Sequence, residues 1–327
     1  MRVKGVRNMN KRMIRTLSRT VDNAVLLTLL VCLLLASYSL WDTHQLNQAA
    51  DSKQYQTYKP TVDDTKSFDE LQVMNPDVIG WLTIYDTKID YPMVCSPNKN
   101  SDYLSKNAEG QWSSSGAIFL DHKNQSDFSD FNTIIYGHHM AARAMFGDLD
   151  LFLKEDFFNS HEYGDVFFNG QSHGLHLFAM MSVDAYDKTL YAPAITDETA
   201  KQEYLSFIKE NALFWRELGV TTNDHIILMS TCSEDITNGR FVLVGKLLDQ
   251  PVANPFPEEE KATSNERIDL YNIFDQVMKL PVWQWILVLI ALIIITWVLY
   301  KLELRRLKKK KEKKLQRQKA ENENEKA

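Results

Sequence analysis

At 327 residues, 44% apolar and 24% charged, the chain has ordinary globular composition, which excludes wholesale disorder and collagen-like repetition and leaves room for two average domains. Three Cys, nine Pro and twelve Gly provide no dense disulfide framework, so the fold must rest on a hydrophobic core. The net charge of −6 conceals three compartments: seven Lys or Arg and no acid in residues 1–20, twelve Lys or Arg against five Glu in 301–327, and −19 in residues 42–281.

The basic ends flank two uncharged apolar runs, Ala24–Trp41 and Val282–Tyr300, of 18 and 19 residues. That is close to the roughly 20 residues a helix needs to cross a bilayer. Trp283 and Trp285 at one end of the second run, and Trp297 and Tyr300 at the other, match the aromatic belts of the two interfaces. A signal peptide would need a small-residue cleavage site after the first run; Ala36-Ser37-Tyr38 is a poor match, so an uncleaved anchor is expected. Positive-inside bias then puts both basic ends in the cytoplasm and residues 42–281 outside. The Lys308–Lys311 run can touch anionic lipid, but reads as a solvated stop-transfer flank and is assigned no chemistry. An acidic exterior without a basic, aromatic-interleaved patch argues against nucleic acid as a partner.

The expected order is a basic cytoplasmic N-terminus (1–20), a transmembrane helix (21–41), an extracellular linker (42–66), a folded domain (67–248), an acidic linker with a juxtamembrane helix (249–281), a second transmembrane helix (282–300) and a basic cytoplasmic tail (301–327). Ser67-Phe68-Asp69-Glu70 is a capping box that starts a short helix ending before Asn75-Pro76. Short β-type runs bounded by turn residues follow at Val78–Ile84, Lys88–Val94, Gly116–Leu120, Thr133–Tyr136, Val166–Phe168 and Leu175–Val183. Thr196–Leu213 has the spacing of a helix, with Asp197 and Glu198 at its start. His225–Met229 is a buried-type apolar strand, and Phe241–Leu247 is expected beside it after a polar connection containing Asn238-Gly239. The domain is therefore mostly β.

Chemistry concentrates at three predicted strand ends. Cys232 closes Leu228-Met229-Ser230-Thr231-Cys232, His138 closes Tyr136-Gly137-His138, and Arg240 opens the strand after the Cys loop. A lone cysteine is commonly a small buried hydrophobe, but these types together suit acyl transfer. A thiolate attacks a carbonyl, an imidazole protonates the leaving amine, and a guanidinium donates to the oxyanion.

His138, Cys232 94 positions later and Arg240 eight beyond that, set in Ile-Ile-Tyr-Gly-His and Ser-Thr-Cys, resemble the sortase family. Asn75-Pro76-Asp77-Val78-Ile79-Gly80-Trp81, Ile89-Asp90-Tyr91-Pro92 and Gly116-Ala117-Ile118-Phe119-Leu120-Asp121 resemble its class B branch, over about residues 67–248. The resemblance implies an eight-stranded sortase β-barrel with peripheral helices, flanked here by two transmembrane helices, on the outer face of a Gram-positive cell. It implies Cys232 as nucleophile, His138 as general acid/base and Arg240 as oxyanion or substrate-positioning group, with Ser230 and Thr231 flanking the peptide groove. The implied substrates are secreted proteins or pilins bearing a sorting signal; the acceptor is a pilin Lys or a peptidoglycan amine, and no cofactor or metal is required. Two departures stand out: Leu228 and Met229 occupy positions where the family pattern has Thr-Leu, and the second anchor is typical of pilus-building class C, whose Asp-Pro-aromatic lid motif is missing.

Other residues carry plainer expectations. His139 and His225 lack zinc-site spacing, His173 and His176 read as turn and surface residues, Cys32 lies in the first span, and Glu234 reads as solvated. A Cys95–Cys232 disulfide is permitted outside the cell if their Cα atoms approach within about 7 Å. A non-enzymatic receptor or scaffold with an acidic exterior is the competing reading, but it has no need of a Cys, a His and an Arg at three strand ends.

Overall fold

A computed structural model describes residues 2–61, 66–140, 143–232 and 239–256, together with 300, 301, 305 and 312. The chain divides into two compact units, Met1–Glu260 and Lys261–Ala327, and the elements below belong to the first. The expected juxtamembrane helix, the second span, Glu234 and the Lys308–Lys311 run lie outside the described residues, apart from Tyr300 at the end of that span, which is helical. Among the described residues one helical stretch, Ser18–Tyr58, is long and apolar enough to cross a membrane, so two spans are not established.

Among the described residues nine strands form one sheet: β1 (Val78–Ile84), β2 (Asp90–Val94), β3 (Ile118–Leu120), β4 (Asn132–His138), β5 (Tyr163–Phe168), β6 (Gln171–Asp184), β7 (Ala212–Trp215), β8 (Ile226–Cys232) and β9 (Gly239–Leu247). Their order is β5-β1-β2-β3-β4-β8-β9-β6-β7, and β5 also pairs with β6. That extra pairing closes eight strands into a barrel and leaves β7 appended outside. The long β6 makes this possible: residues 171–176 pair with β5, while Ala179–Met181 pair with β7 farther along the strand. Closure removes the exposed edges that an eight-stranded open sheet would carry.

β8 shows why its sequence reads as an unbroken apolar run. Ile227 and Met229 pack in the main core with Ile135 and Leu243, whereas Ile226 and Leu228 pack in a second core with Tyr204 and Ile208 of α4 (Glu198–Asn211). With both faces buried there is no polar alternation to see. α4 is capped by Asp197, whose carboxylate accepts the Ala200 N–H at 2.9 Å. It stops at Asn211 rather than continuing to Leu213, because Phe214 and Trp215 pair with Met180 and Ala179 as β7. Arg216 secures that exit by donating to the carbonyls of Leu177 and Phe158.

Other helices among the described residues of this unit are α1 (Arg2–Ala50), α2 (Lys66–Met74) and α3 (Glu155–Ser160). α1 outruns the expected span, and the supposed linker after it is docked instead. Ala50 is fully buried, and Tyr55, in a 3-10 turn over Ser52–Tyr58, is buried in the core. Asp90 holds the turn in place: it accepts from Gln56 Nε2 at 2.8 Å, Trp81 Nε1 at 2.7 Å and Thr83 Oγ1 at 2.8 Å, and pairs with Lys59 at 2.7 Å. The segment after β9 is likewise docked over 249–256. Gly174 N–H donates to Gln250, Tyr85 hydroxyl donates to Val252 at 2.7 Å, and the Phe256 ring stacks on His161 at 4.6 Å.

Candidate active site

β4, β8 and β9 are neighbours in the barrel, so the three strand ends singled out in the sequence meet. β4 and β8 run parallel with Tyr136 opposite Ser230, Gly137 opposite Thr231 and His138 opposite Cys232. β9 runs antiparallel to β8 with Ser230 opposite Val242. Arg240 stands two residues before Val242 on β9, at the end of β8 that carries Cys232. The Arg240 guanidinium is tied down, Nη1 donating to the Thr231 carbonyl at 2.5 Å.

His138 is held from several sides. Its Nε2 lies 2.9 Å from the Leu104 carbonyl oxygen, at the end of the 3-10 turn Asn100–Leu104. Gly116 permits that contact: with φ of +62°, it sits where a Cβ would come within 2.7 Å of Tyr103 O, 2.9 Å of Leu104 O and 3.0 Å of His138 Cδ2. Gly137 serves the other side, where a Cβ would meet Ile118 Cδ1 at 2.5 Å and the Phe146 ring at 2.8 Å. The Phe146 N–H then caps the His138 carbonyl at 2.9 Å.

Ser230 and Thr231, expected to flank the peptide groove, sit inside the fold. Both are buried, at 0% and 1% exposure. Thr231 Oγ1 accepts the Phe241 N–H at 3.1 Å, so its side chain splices β8 to β9 while its carbonyl holds Arg240. Ser230 Oγ lies 2.9 Å from the Tyr191 hydroxyl, and the Tyr191 ring stacks on Tyr136 at 6.3 Å. Tyr191 and Leu104 were not singled out from the sequence. Leu104 contributes a main-chain carbonyl, which leaves no sequence signal; Tyr191 reads as one more aromatic until the fold brings it beside Ser230.

The other candidates are accounted for separately. Cys95 is a free, half-buried thiol; burial, reinforced by Asp77 and Asp121, pushes its pKa up to about 11, which favours the protonated thiol at neutral pH. His139 pairs with Asp150 at 2.8 Å, and His225 Nδ1 lies 2.7 Å from the Asp130 carbonyl. His173 and His176 stand in β6 rather than in a turn, stacked on Phe168 at 4.3 Å and against Tyr163 at 4.4 Å. Burial, with Arg216 nearby, lowers the His176 pKa. Cys32 is exposed on α1. Among the described residues no group of three or more His, Cys, Asp or Glu could hold a metal ion.

No family model matches the chain. Against known proteins it is 37% identical over 183 residues to Sortase B of Listeria monocytogenes, an alignment covering 55% of this chain and 73% of that protein. The chain belongs to the sortase B family. A Streptococcus pyogenes class B sortase involved in pilus biogenesis superposes with a TM-score of 0.51 at 38% identity, covering 55% of this chain and 97% of that one. A Staphylococcus aureus sortase B–substrate complex superposes with a TM-score of 0.53 at 25% identity, covering 64% and 94% respectively. As a sortase the protein is a cysteine transpeptidase of class B-like fold, and the receptor or scaffold reading is set aside.

Proposed function

We propose that this sortase is anchored in the membrane and cleaves the sorting signal of secreted proteins with Cys232 as nucleophile, His138 as general acid/base and Arg240 as oxyanion donor. The carrying observation is the register that sets His138 beside Cys232 on parallel strands, with Arg240 on the next strand tied to the residue before the cysteine. The Cys232 thiolate attacks the scissile carbonyl carbon, and the electron pair moves onto the carbonyl oxygen, which Arg240 receives. His138 protonates the departing amide nitrogen as the tetrahedral intermediate collapses, leaving a thioester on Cys232. An incoming amine gives its proton back to His138 and attacks the thioester carbonyl. Collapse forms the new amide bond and releases the thiolate.

The apolar helix over Ser18–Tyr58 supports a membrane anchor. The acceptor amine of this reading is a pilin Lys, supported by the likeness to a class B sortase involved in pilus biogenesis; a peptidoglycan amine is the other outcome. The full chain in detergent, mixed with candidate sorting peptides, is expected to gain an acyl adduct on Cys232 by intact mass, and Cys232→Ala none. No adduct on a freely alkylatable Cys232 overturns the reading. Deletion of the protein from its host is expected to abolish high-mass pilin ladders; ladders that persist, with secreted proteins shed from the wall, assign the peptidoglycan acceptor.

A further inference from the structure

The end of α1 is bonded to the loops on both sides of His138. Tyr91, on β2 and 2% exposed, donates its hydroxyl to the Ala50 carbonyl at 2.8 Å and accepts the Met145 N–H at 2.9 Å. Met145 bridges to His139, and its neighbour Phe146 caps the His138 carbonyl, so Tyr91 grips the chain that returns from the catalytic strand. Met145 itself is buried with φ of 54°. That left-handed conformation is unfavourable for a residue with a Cβ, and needs its N–H captured to persist. On the other side of the ring, Ser115 Oγ donates to the Ala49 carbonyl at 3.2 Å, one residue before the glycine that touches the imidazole. The two last carbonyls of α1, which have no partner within the helix, are therefore satisfied from outside it, Ala50 O by Tyr91 and Ala49 O by Ser115 together with Gln54 Nε2 at 2.7 Å.

We infer that Tyr91 is a positioning residue: its single hydroxyl ties the carboxyl end of α1 to the Met145 loop and thereby sets the place of the His138 imidazole. The inference rests on the reading of His138 as the acid/base group. It follows that the helix end is part of the active-site frame as well as a tether. Losing the hydroxyl leaves the Ala50 carbonyl and the Met145 N–H without this partner where the helix end and the Met145 loop are joined.

The test compares Tyr91→Phe with Tyr85→Phe in the full chain. Tyr85 also donates a hydroxyl to a carbonyl, that of Val252, but has no link to His138. Tyr91→Phe is expected to lower kcat about tenfold with KM unchanged, as a small displacement of a reacting group does. Tyr85→Phe is expected to lower Tm and leave kcat alone. The His138 ring nitrogen shifts, assigned by the signal lost in His138→Ala, are expected to move in Tyr91→Phe and stay put in Tyr85→Phe. Unmoved shifts in Tyr91→Phe, or a kcat equal to that of Tyr85→Phe, overturn the inference. If the wild type turns over no peptide and yet the shifts move, the proposed function has failed while the Tyr91 tie stands.

Discussion

His138 Nε2 lies 2.9 Å from the main-chain oxygen of Leu104. A carbonyl oxygen can only accept, so this contact puts a hydrogen on Nε2; in the proposed mechanism Nδ1 is then the ring atom left to exchange protons with the substrate. Because the partner is backbone, the tautomer depends on the path of the Asn100–Leu104 turn rather than on a neighbouring side chain.

Gly116→Ala disturbs that path directly. The new methyl group would lie 2.9 Å from Leu104 O and 3.0 Å from the imidazole, at a backbone angle that alanine disfavours. The expected outcome is a stability loss of about 1–2 kcal/mol and acyl-enzyme formation slowed by at least about tenfold. Intact-mass time courses beside thermal melts measure both.

Arg240 is expected to act through its planar fork, one arm of which is already spent on Thr231 O. Arg240→Ala should lower kcat by about 10²–10³, the usual loss for one oxyanion donor. Arg240→Lys should recover little of it, because a single ammonium cannot hold the Thr231 carbonyl and face the oxyanion in one fixed geometry. Steady-state kinetics with one peptide decides; full recovery by lysine would show that charge alone matters.

Thr231→Val separates a groove residue from a splice. The substitution removes the acceptor of the Phe241 N–H in a buried place, so stability should fall by about 1–3 kcal/mol. KM for the peptide should hold. A raised KM at unchanged Tm would instead put Thr231 in contact with substrate.

Asp90→Asn tests the strap at the base of α1. Burial alone would raise the Asp90 pKa, but the Lys59 charge and hydrogen bonds from Lys59, Trp81 and Gln56 outweigh it and hold the carboxyl below the usual carboxylate range. A depressed folded pKa stabilises above the unfolded value, and the benefit disappears as pH falls through the folded one. At pH 7 the variant should lose about 2 kcal/mol, or roughly 4–8 °C in Tm. The gap between variant and wild type should close as the pH is taken below the ordinary carboxylate range.

Legibility in the sequence followed the locality of the forces. β1, β8 and β9 were visible as apolar runs between turn residues, and α4 announced its start through Asp197. β7 was hidden because Ala212–Trp215 continues the helical spacing of α4; only the open edge of β6 turns it into a strand. The polar stretch 52–58 and the segment 249–256 looked like linkers because what holds them, Asp90, Tyr85, Gly174 and His161, is supplied by other parts of the chain.

The sequence by itself determined the residue types and their order: a cysteine, a histidine and an arginine at strand ends, an apolar helix ahead of them, and enough alternating and continuous apolar runs for a barrel. Only the tertiary structure decided that His138 and Cys232 share a register, that Thr231 holds Arg240, and that the end of α1 reaches the loops behind His138. The physical reason is that residue types carry local propensity and chemistry, whereas register and hydrogen-bond partners are set by barrel closure. Within the barrel the parallel pairing of β4 with β8 joins strands separated by nearly a hundred residues, and no local pattern encodes which pairs will meet.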